Sequence, residues 1–423
     1  MGRLVVLMIT AFVDMVGVLA VIPLLPYYAL RFGADGFVIG LLVSSFAVAQ
    51  LLTAPLWGRV SDRYGRKPAL LIGLVASTIA YIVFAFANSI GLLFLSRLVQ
   101  GAGGGTVGVV QAYVADTTEP SDRAKALGWL SAATNLGVTI GPVIGSLAYG
   151  WGESAPGLFA AGLCALNILF ALRYLPESHE ERATETGVRV GTPREAVRRV
   201  VFGLTDPAAR LIWIYAIAMG AFQGMNAILA LFLSERFGVL EEQIGFYFMY
   251  IGAISVVTRA LVLGRMVDWL GEIRLSRVGL VLLGVGLTAM PLTHRLSGLA
   301  VVVALVPLGT AFTFPCMTAL LSRVIDRHER GLYMGVQQTF GGIARVVAPI
   351  WAGFAWERLG QGVPFWTGGL LVASTIALGA GLGRHAAVRG EAGAGEGVAA
   401  DGETTAEGGA ALDGGAGPAA GRV

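Results

Sequence analysis

Ionisable side chains inside apolar stretches are the groups of this sequence that could do chemistry. Asp14 is the one acid well inside an apolar run, and three arginines, Arg97, Arg259 and Arg345, lie inside others. Apolar surroundings favour the neutral form of a carboxyl group, so Asp14 could take up a proton from one side and release it when a cation or water arrives. The alternative is that Asp14 only pairs with a nearby arginine. Arg97 precedes Gln100 by one helical turn, so both side chains share a helix face.

A dense cluster of charges, GRVSDRYGRK at residues 58–67, separates two long apolar runs. Charges this dense cannot lie in lipid, so we predict a short turn at a membrane surface. Gly58 and Gly65 permit a sharp turn that a β-branched residue would resist. We expect Asp62 to pair with Arg66 or to meet the positive end of a helix from another part of the molecule.

Composition is typical of a membrane protein. Of 423 residues, 55% are hydrophobic and 13% are charged, with a mean hydropathy of +0.72, whereas soluble domains are about 25% charged. The net charge of +3 comes from cations spread between apolar runs, which predicts membrane topology and no nucleic-acid partner. Cys164 and Cys316 lie in separate apolar runs, so we expect neither a disulfide framework nor a metal site. No G-x4-GK[ST] motif occurs, and we expect no cofactor and no enzymatic activity.

Twelve segments are apolar enough to cross a bilayer, which takes roughly 20 helical residues. The sequence therefore predicts an all-α polytopic membrane protein with twelve transmembrane helices. They are predicted at about 4–30, 37–57, 68–87, 90–115, 124–150, 156–175, 208–234, 242–263, 276–293, 298–322, 331–357 and 363–383. The chain is thereby divided into a first half, a cytoplasmic linker, a second half and a disordered tail, at 1–175, 176–207, 208–385 and 386–423. Within the linker, TPREAVRRVV could form a short basic amphipathic helix on the membrane surface.

The distribution of cations predicts the orientation. With the N-terminus inside, 23 of the 30 Lys and Arg residues fall on the cytoplasmic side and four fall outside. Short cytoplasmic loops collect Lys and Arg, so both termini are predicted to be cytoplasmic. We expect a multi-pass protein of the cell's inner (plasma) membrane that acts as a monomer in the lipid bilayer.

The two halves carry an internal repeat. Landmarks of the first half recur 206 or 207 residues later, as Gly58/Gly264, Asp62/Asp268, Gly65/Gly271, Arg123/Arg330, Gly128/Gly335 and Pro142/Pro349. Landmarks at a constant offset indicate duplication of a six-span unit. Two pseudo-symmetric six-helix halves form a secondary-transporter architecture, with the substrate site between the halves near the middle of the membrane.

Several motifs together resemble the major facilitator superfamily over about residues 4–385. GRVSDRYGRKPALL is similar to the signature loop between spans 2 and 3 of the family, and RLVQGAGGG from Arg97 is similar to its fourth-span motif. DMVGVLAVIPLLP from Asp14 resembles the first span of tetracycline- and multidrug-efflux members, and LPES at 175–178 resembles the end of their sixth span. The fifth span resembles that of the proton-driven antiporters, with the pattern G-x8-G-x3-GP-x2-G at Gly128, Gly137, Gly141, Pro142 and Gly145.

The resemblance implies roles for these motifs. Asp14 and Arg97 would take part in proton coupling, and the fifth-span motif would form a tight packing seam that favours exchange over simple passage. The sequence departs from the family pattern in two respects. Ser146 stands where the motif usually ends in glycine, and spans 3, 8 and 9 lack acids and histidines of the kind that tetracycline exporters use. The second departure argues against tetracycline itself as the substrate.

We interpret the charge cluster as a conformational latch that holds the outward-facing state closed on the cytoplasmic side. Its predicted members are Gly58, Asp62, Gly65, Arg66 and, in the repeat, Asp268. Glu272 and Ile273 replace the Arg-Lys pair in the repeat, so we expect the latch to be stronger in the first half.

Polar side chains inside spans are candidates for lining a large apolar pocket with few polar anchors. The predicted substrate-binding residues are Arg345, Gln50, Gln111, Asn135, Gln223, Asn226 and Tyr250. Each of these alone could instead form a hydrogen bond between helices.

The sequence thus predicts a secondary active transporter that exports a small amphiphilic or drug-like molecule in exchange for protons, by alternating access. One alternative is transport of an organic anion or metabolite, because three in-span arginines outnumber the one acid. A channel or membrane receptor is a further alternative, although a pore needs no latch on each half.

Overall fold

Every regular element in the described part of the chain is a helix. The computed structural model describes residues 2–119, 121–177, 192–203, 205–326 and 328–379. Within lipid a helix satisfies all of its own backbone hydrogen bonds, which explains why the apolar runs fold this way. The predicted tail, 386–423, and residues 178–191 of the predicted linker lie outside the described residues.

The first half contains eight helices that make six passes. The helices are α1 Arg3–Val21, α2 Leu25–Arg31, α3 Gly36–Tyr64, α4 Arg66–Ala85, α5 Ile90–Gly103, α6 Thr106–Thr117, α7 Arg123–Tyr149 and α8 Ala155–Tyr174. A 3-10 turn joins α1 to α2 at Ile22–Leu24, so these two helices form one pass. The fourth pass is likewise made of two helices, α5 and α6.

The second half repeats this arrangement after a short connecting helix, α9 Pro193–Phe202. Its helices are α10 Pro207–Phe237, α11 Glu241–Val257, α12 Leu263–Ala289, α13 Leu296–Val324, α14 Arg330–Leu359 and α15 Val363–Leu378. A π-turn at Thr258–Val262 connects α11 to α12, and non-helical Gly271 divides α12 between the eighth and ninth passes. Eight described segments meet a strict length and hydropathy criterion for spanning. Twelve passes result when the broken, short and merged helices are resolved, so the predicted all-α, twelve-helix architecture is confirmed.

Two predicted span boundaries differ from the structure. The fourth span, predicted as continuous, breaks after Gly103 because a run of glycines is a poor helix former. Side chains of α3 donate hydrogen bonds to carbonyl groups at this break. Gln50 donates to the carbonyl of Gly104 at 3.0 Å, and Trp57 donates to that of Ala102 at 2.5 Å. The eighth span, predicted to end near 263, continues as helix until Gly271.

The internal repeat is visible in the backbone. Glycines with positive φ occur in three pairs at equivalent places, separated by 205, 206 and 208 residues: Gly33/Gly238, Gly65/Gly271 and Gly152/Gly360. We call the end of the bundle that carries Gly65 and Gly271 the basic end. The opposite end, which carries the other four glycines, is the far end.

Two pseudo-equivalent seams hold the halves together. In one, α3 packs on α14, and a Cβ on Gly40 would collide with the carbonyl of Pro349. In the other, α11 packs on α7, and a Cβ on Gly245 would collide with the carbonyl of Pro142. Gly40 and Gly245 are 205 residues apart, and the two prolines are 207 apart, so one packing solution is used twice. Small residues permit this approach of backbones in a membrane.

Within the first half, α7 packs against α1 through a row of glycines. A Cβ on Gly137 would lie 2.6 Å from the carbonyl oxygen of Phe12, and a Cβ on Gly141 would lie 2.8 Å from that of Val16. Gly145 meets the Ala20 carbonyl in the same way. The fifth-span motif therefore has two faces, with Gly137, Gly141 and Gly145 on α1 and Pro142 on the other half.

The halves separate toward the basic end. Hydrogen bonds that join them among the described residues all lie in the far-end part: Tyr27–Val239, Arg31–Glu241, Gly36–Glu357, Ser44–Val346, Ser146–Glu241 and Gly245–Ser146. Toward the basic end, a Cβ on Gly58, Gly335, Gly128 or Gly264 would meet no atom within 4 Å. The described conformer is therefore closed at the far end and open at the basic end.

The α1–α7 contact generates a stability prediction. Gly141→Ala should lower the thermal unfolding midpoint in detergent, because overpacking against the Val16 carbonyl costs about 1–3 kcal/mol. Gly162→Ala is the matched control, since this glycine lies inside α8 with open space at its Cβ. Equal midpoints for the two variants would contradict the packing described here.

Candidate functional site

Asp14 lies at the break in the fourth pass. Its side chain is buried, with 7% of its surface exposed, and Oδ2 accepts a hydrogen bond of 3.3 Å from the Thr106 hydroxyl. Thr106 is the first residue of α6, so the carboxyl group faces the positive end of a half-helix inside the membrane. Sequence reasoning missed Thr106, although the preceding glycine run signalled a break.

A cavity of about 290 Å³ opens beside this carboxyl group, enclosed by α1, α4, α6 and α7. Its polar lining includes Asp14, Thr106, Gln111, Ser131 and Thr134. The cavity lies within the first half. Of the predicted substrate-binding residues, Gln111 alone lies in this lining.

Arg97 is held on the neighbouring helix, α5, by uncharged partners. Its side chain is 2% exposed, and it donates a hydrogen bond to the Gln100 amide oxygen. Gln100 in turn donates to the Tyr81 hydroxyl at 2.8 Å, and the guanidinium lies 4.9 Å from the centre of the Phe46 ring. No ion pair between Arg97 and Asp14 occurs among the described residues, so a simple salt bridge does not account for the buried acid.

Four predicted binding residues use their polar groups locally or at another site. Gln50 holds the break in the fourth pass, and Asn135 donates to the Ser131 carbonyl at 2.7 Å within α7. Asn226 donates to the Phe222 carbonyl at 3.0 Å within α10. Tyr250 donates to the Ala300 carbonyl at 3.1 Å and lines a separate, apolar cavity of about 190 Å³ between α10, α11 and α13.

Arg345 and Gln223 lie in the second half without such partners. Both are partly buried, Arg345 on α14 and Gln223 on α10, and neither forms a hydrogen bond or ion pair within the described ranges. Within the described residues these two side chains are thus not committed to a polar partner, whereas Gln50 holds the break in the fourth pass.

Three of the predicted latch residues, Asp62, Gly65 and Arg66, belong to a network within the first half. Arg66 donates to Asp62 at 2.6 Å and to Asp116, at the end of α6, at 2.9 Å. Glu177 accepts the backbone N–H of Arg66 at 2.9 Å and packs against Gly65, which has a φ of +100° and no room for a Cβ. The Asp62 side chain is 68% exposed, and neither it nor Asp268 bonds to the opposite half among the described residues.

The second half keeps the latch ion pair with its charges exchanged. Glu272, the counterpart of Arg66, accepts a hydrogen bond of 2.8 Å from Arg323, the counterpart of Asp116. The charge cluster considered alone could not reveal this exchange, because the partner of each residue is about 50 positions away on another helix. The replacement of Arg by Glu at this position therefore preserves an ion pair.

Ser146 and Arg31 hold the far end. The Ser146 hydroxyl donates to the carbonyl of Glu241 at 2.9 Å and accepts the N–H of Gly245 at 2.8 Å, which bridges the first turn of α11. Arg31 pairs with Glu153 at 2.6 Å and with Glu241 at 3.3 Å. The serine that departs from the antiporter pattern thus supplies a contact between the halves.

Comparison with known proteins identifies the family of this helical bundle. A family profile described as Major Facilitator Superfamily matches residues 7–349 and, in a second alignment, 261–396. The chain belongs to the Major Facilitator Superfamily. It is a multi-pass membrane transporter of this superfamily, as the paired six-helix halves and the motif resemblance indicate.

Several superfamily members resemble the chain over most of its length. Multidrug resistance protein 1 of Bacillus subtilis (strain 168) is 28% identical, over 89% of this chain and 95% of the relative. Tetracycline resistance protein, class B, of Escherichia coli is 27% identical, over 85% of this chain and 89% of the relative. The solved structure of the human organic anion transporter MFSD10 (TETRAN) matches with a TM-score of 0.65 and 24% identity, over 89% of this chain and 98% of that one. It supports the superfamily fold.

The exchanged ion pair generates a prediction for the basic end. Glu272→Arg should lower the unfolding midpoint by placing a second cation beside Arg323, at a cost of about 1 kcal/mol for a partly exposed pair. Adding Arg323→Glu should restore the midpoint, because the pair then has the polarity of Arg66 and Asp116. Additive losses in the double variant would show that the two side chains do not interact.

Proposed function

We propose that this transporter exports small amphiphilic, drug-like molecules across the inner (plasma) membrane in exchange for protons. The observation that carries the proposal is the Asp14 carboxyl group, which lines a mostly apolar cavity with a few polar groups at a helix break in the first half. Relatives named for multidrug and tetracycline resistance support export of drug-like molecules. The substrate class is thus a molecule that is mostly apolar and carries a few polar or cationic groups.

Coupling would follow from the cost of burying a charge. A carboxylate can be closed off from water only at high cost, unless a proton or a cationic substrate group neutralises it. Asp14 would therefore carry either a proton or a substrate through each closure, which makes the two movements alternate. Arg97, anchored through Gln100 and Tyr81, would keep a fixed positive charge near this exchange.

The charges of the basic end support an orientation. Lys and Arg collect in short cytoplasmic loops, so we place the basic end and both termini in the cytoplasm. The cavity at Asp14 would then receive substrate from the cytoplasmic side in the described conformer.

Alternating access would proceed by closure of the basic end. In the α3–α14 seam, the numbers of two residues that face each other add up to about 390. This holds for Gly40 with Pro349 and for Leu51 with Gly342. Continuing this register brings Gly58 opposite Gly335. The α7–α11 seam continues in the same way, from Pro142 with Gly245, to bring Gly128 opposite Gly264. We propose that these two glycine pairs close the basic end, and that Asp62 then reaches the second half as a latch.

A second candidate substrate class is organic anions. The partly buried Arg345 lacks a partner among the described residues, and the solved human relative is an organic anion transporter. Gln223 would provide a neutral polar anchor in the same half. Competition experiments distinguish the classes: a cationic dye should inhibit export of a drug-like cation, whereas a hydrophobic carboxylate should inhibit anion transport and depend on Arg345.

The coupling proposal predicts the behaviour of Asp14→Asn. In vesicles, substrate-dependent proton movement should fall to background, because an amide cannot carry a proton through the cycle. Asp122→Asn is the matched control, since Asp122 is an exposed acid at the start of α7 and should leave proton movement unchanged. Unchanged proton movement in the Asp14 variant would refute the coupling.

The closure proposal predicts specific cross-links. Cysteine pairs at Gly58/Gly335 and at Gly128/Gly264 should form disulfides under oxidation and block transport, and a reductant should restore it. The mismatched pairs Gly58/Gly264 and Gly128/Gly335 are matched controls that use the same four positions. Equal inhibition by matched and mismatched pairs would contradict the proposed register.

A further inference from the structure

The short helix α9 presents two faces with different chemistry. Ala196 and Val200, which are almost fully buried, lie on the face toward α10 and α14. The outward arc contains two arginines, Arg194 and Arg198, and three exposed apolar side chains, Val197, Val201 and Phe202. A short helix with cations and apolar groups on one outward face is suited to a membrane interface rather than to water.

Docking to the second half fixes the direction of this outward arc. Trp213 of α10 donates to the Val200 carbonyl at 2.9 Å, and Arg199 donates to the Tyr333 hydroxyl of α14 at 3.0 Å. Arg199 also pairs with Asp206, the N-cap of α10. The helix is therefore tied to the start of a membrane pass at the basic end, and its outward arc points away from the second half.

The helix carries an excess of positive charge, because its one acid, Glu195, accepts the N–H of Thr192 in the capping box at the helix start. Arg194 and Arg198 are exposed and form no ion pair within the part of the chain that the structure describes, whereas Arg199 on the docked side has its acid. Phe202 is 81% exposed although it lies five residues before the start of α10. Exposed cations beside exposed apolar side chains match the headgroup and upper acyl region of an anionic phospholipid.

We propose that α9 is an anionic-lipid binding surface, with Arg194 and Arg198 on the headgroup phosphates and Val197, Val201 and Phe202 in the interface. Lipid bound there would hold the second half alone. Among the described residues, α9 bonds to α10, to α14 and to the residues that join it to α10. The surface would act as a fixed point against which the first half moves. This inference is independent of the substrate and of proton coupling.

The test uses the full chain with a fluorophore on Val197→Cys in phosphatidylcholine proteoliposomes with increasing phosphatidylglycerol. Both native cysteines, Cys164 and Cys316, are buried, so the label reacts at position 197. Quenching by acrylamide, a neutral aqueous quencher, should fall as phosphatidylglycerol is added. In Arg194→Gln/Arg198→Gln the apparent association with phosphatidylglycerol should weaken by about 30-fold.

The far-end variant Arg236→Gln/Arg295→Gln is the control, because it removes the same charge from the opposite end and should respond like the labelled parent. Protection that does not depend on phosphatidylglycerol in the parent would overturn the proposal. Equal protection in the Arg194/Arg198 variant, or loss of protection in the far-end control as well, would also overturn it.

Discussion

The close approach of helix backbones at two seams is the constraint on which the rest of this structure depends. Lipid provides no hydrophobic drive between helices, so association relies on packing and hydrogen bonds. Gly40 against Pro349 and Gly245 against Pro142 allow that packing at equivalent places. Ser44 and Ser146 add a hydroxyl hydrogen bond to each seam. Because both seams are tight only toward the far end, the molecule can be joined at one end and open at the other.

The break between α5 and α6 connects this scaffold to the chemistry. A run of glycines lowers helix stability at mid-pass, and Gln50 and Trp57 satisfy the carbonyls that the break exposes. In return, the new helix start brings Thr106 and a positive helix end to Asp14. The same glycines that weaken the fourth pass therefore produce the helix start that faces the buried Asp14 of α1.

Much of the fold could be predicted from the sequence because its signals are long or repeated. The twelve spans follow from apolar runs, and the repeat follows from constant offsets that reappear in paired positive-φ glycines. Asp14 and Gln111 are polar residues inside predicted spans, and both line the same cavity. The exchange of Arg66–Asp116 for Glu272–Arg323 could not be predicted, because the partners come together only when separate helices pack. Gly128 shows a similar limit: it belongs to the motif by spacing, but a Cβ there would meet no atom of another helix within 4 Å.

The most direct test of the central claim is the distance across the basic end. It can be measured by double electron–electron resonance between spin labels on Arg59→Cys and Arg265→Cys. A neutral carboxyl group costs less to enclose than a carboxylate, so protonation of Asp14 should allow the basic end to close. Lowering the pH should therefore enrich a shorter distance in the labelled parent, while Asp14→Asn should give a distribution that does not change with pH. An identical pH response in the two proteins would contradict the account.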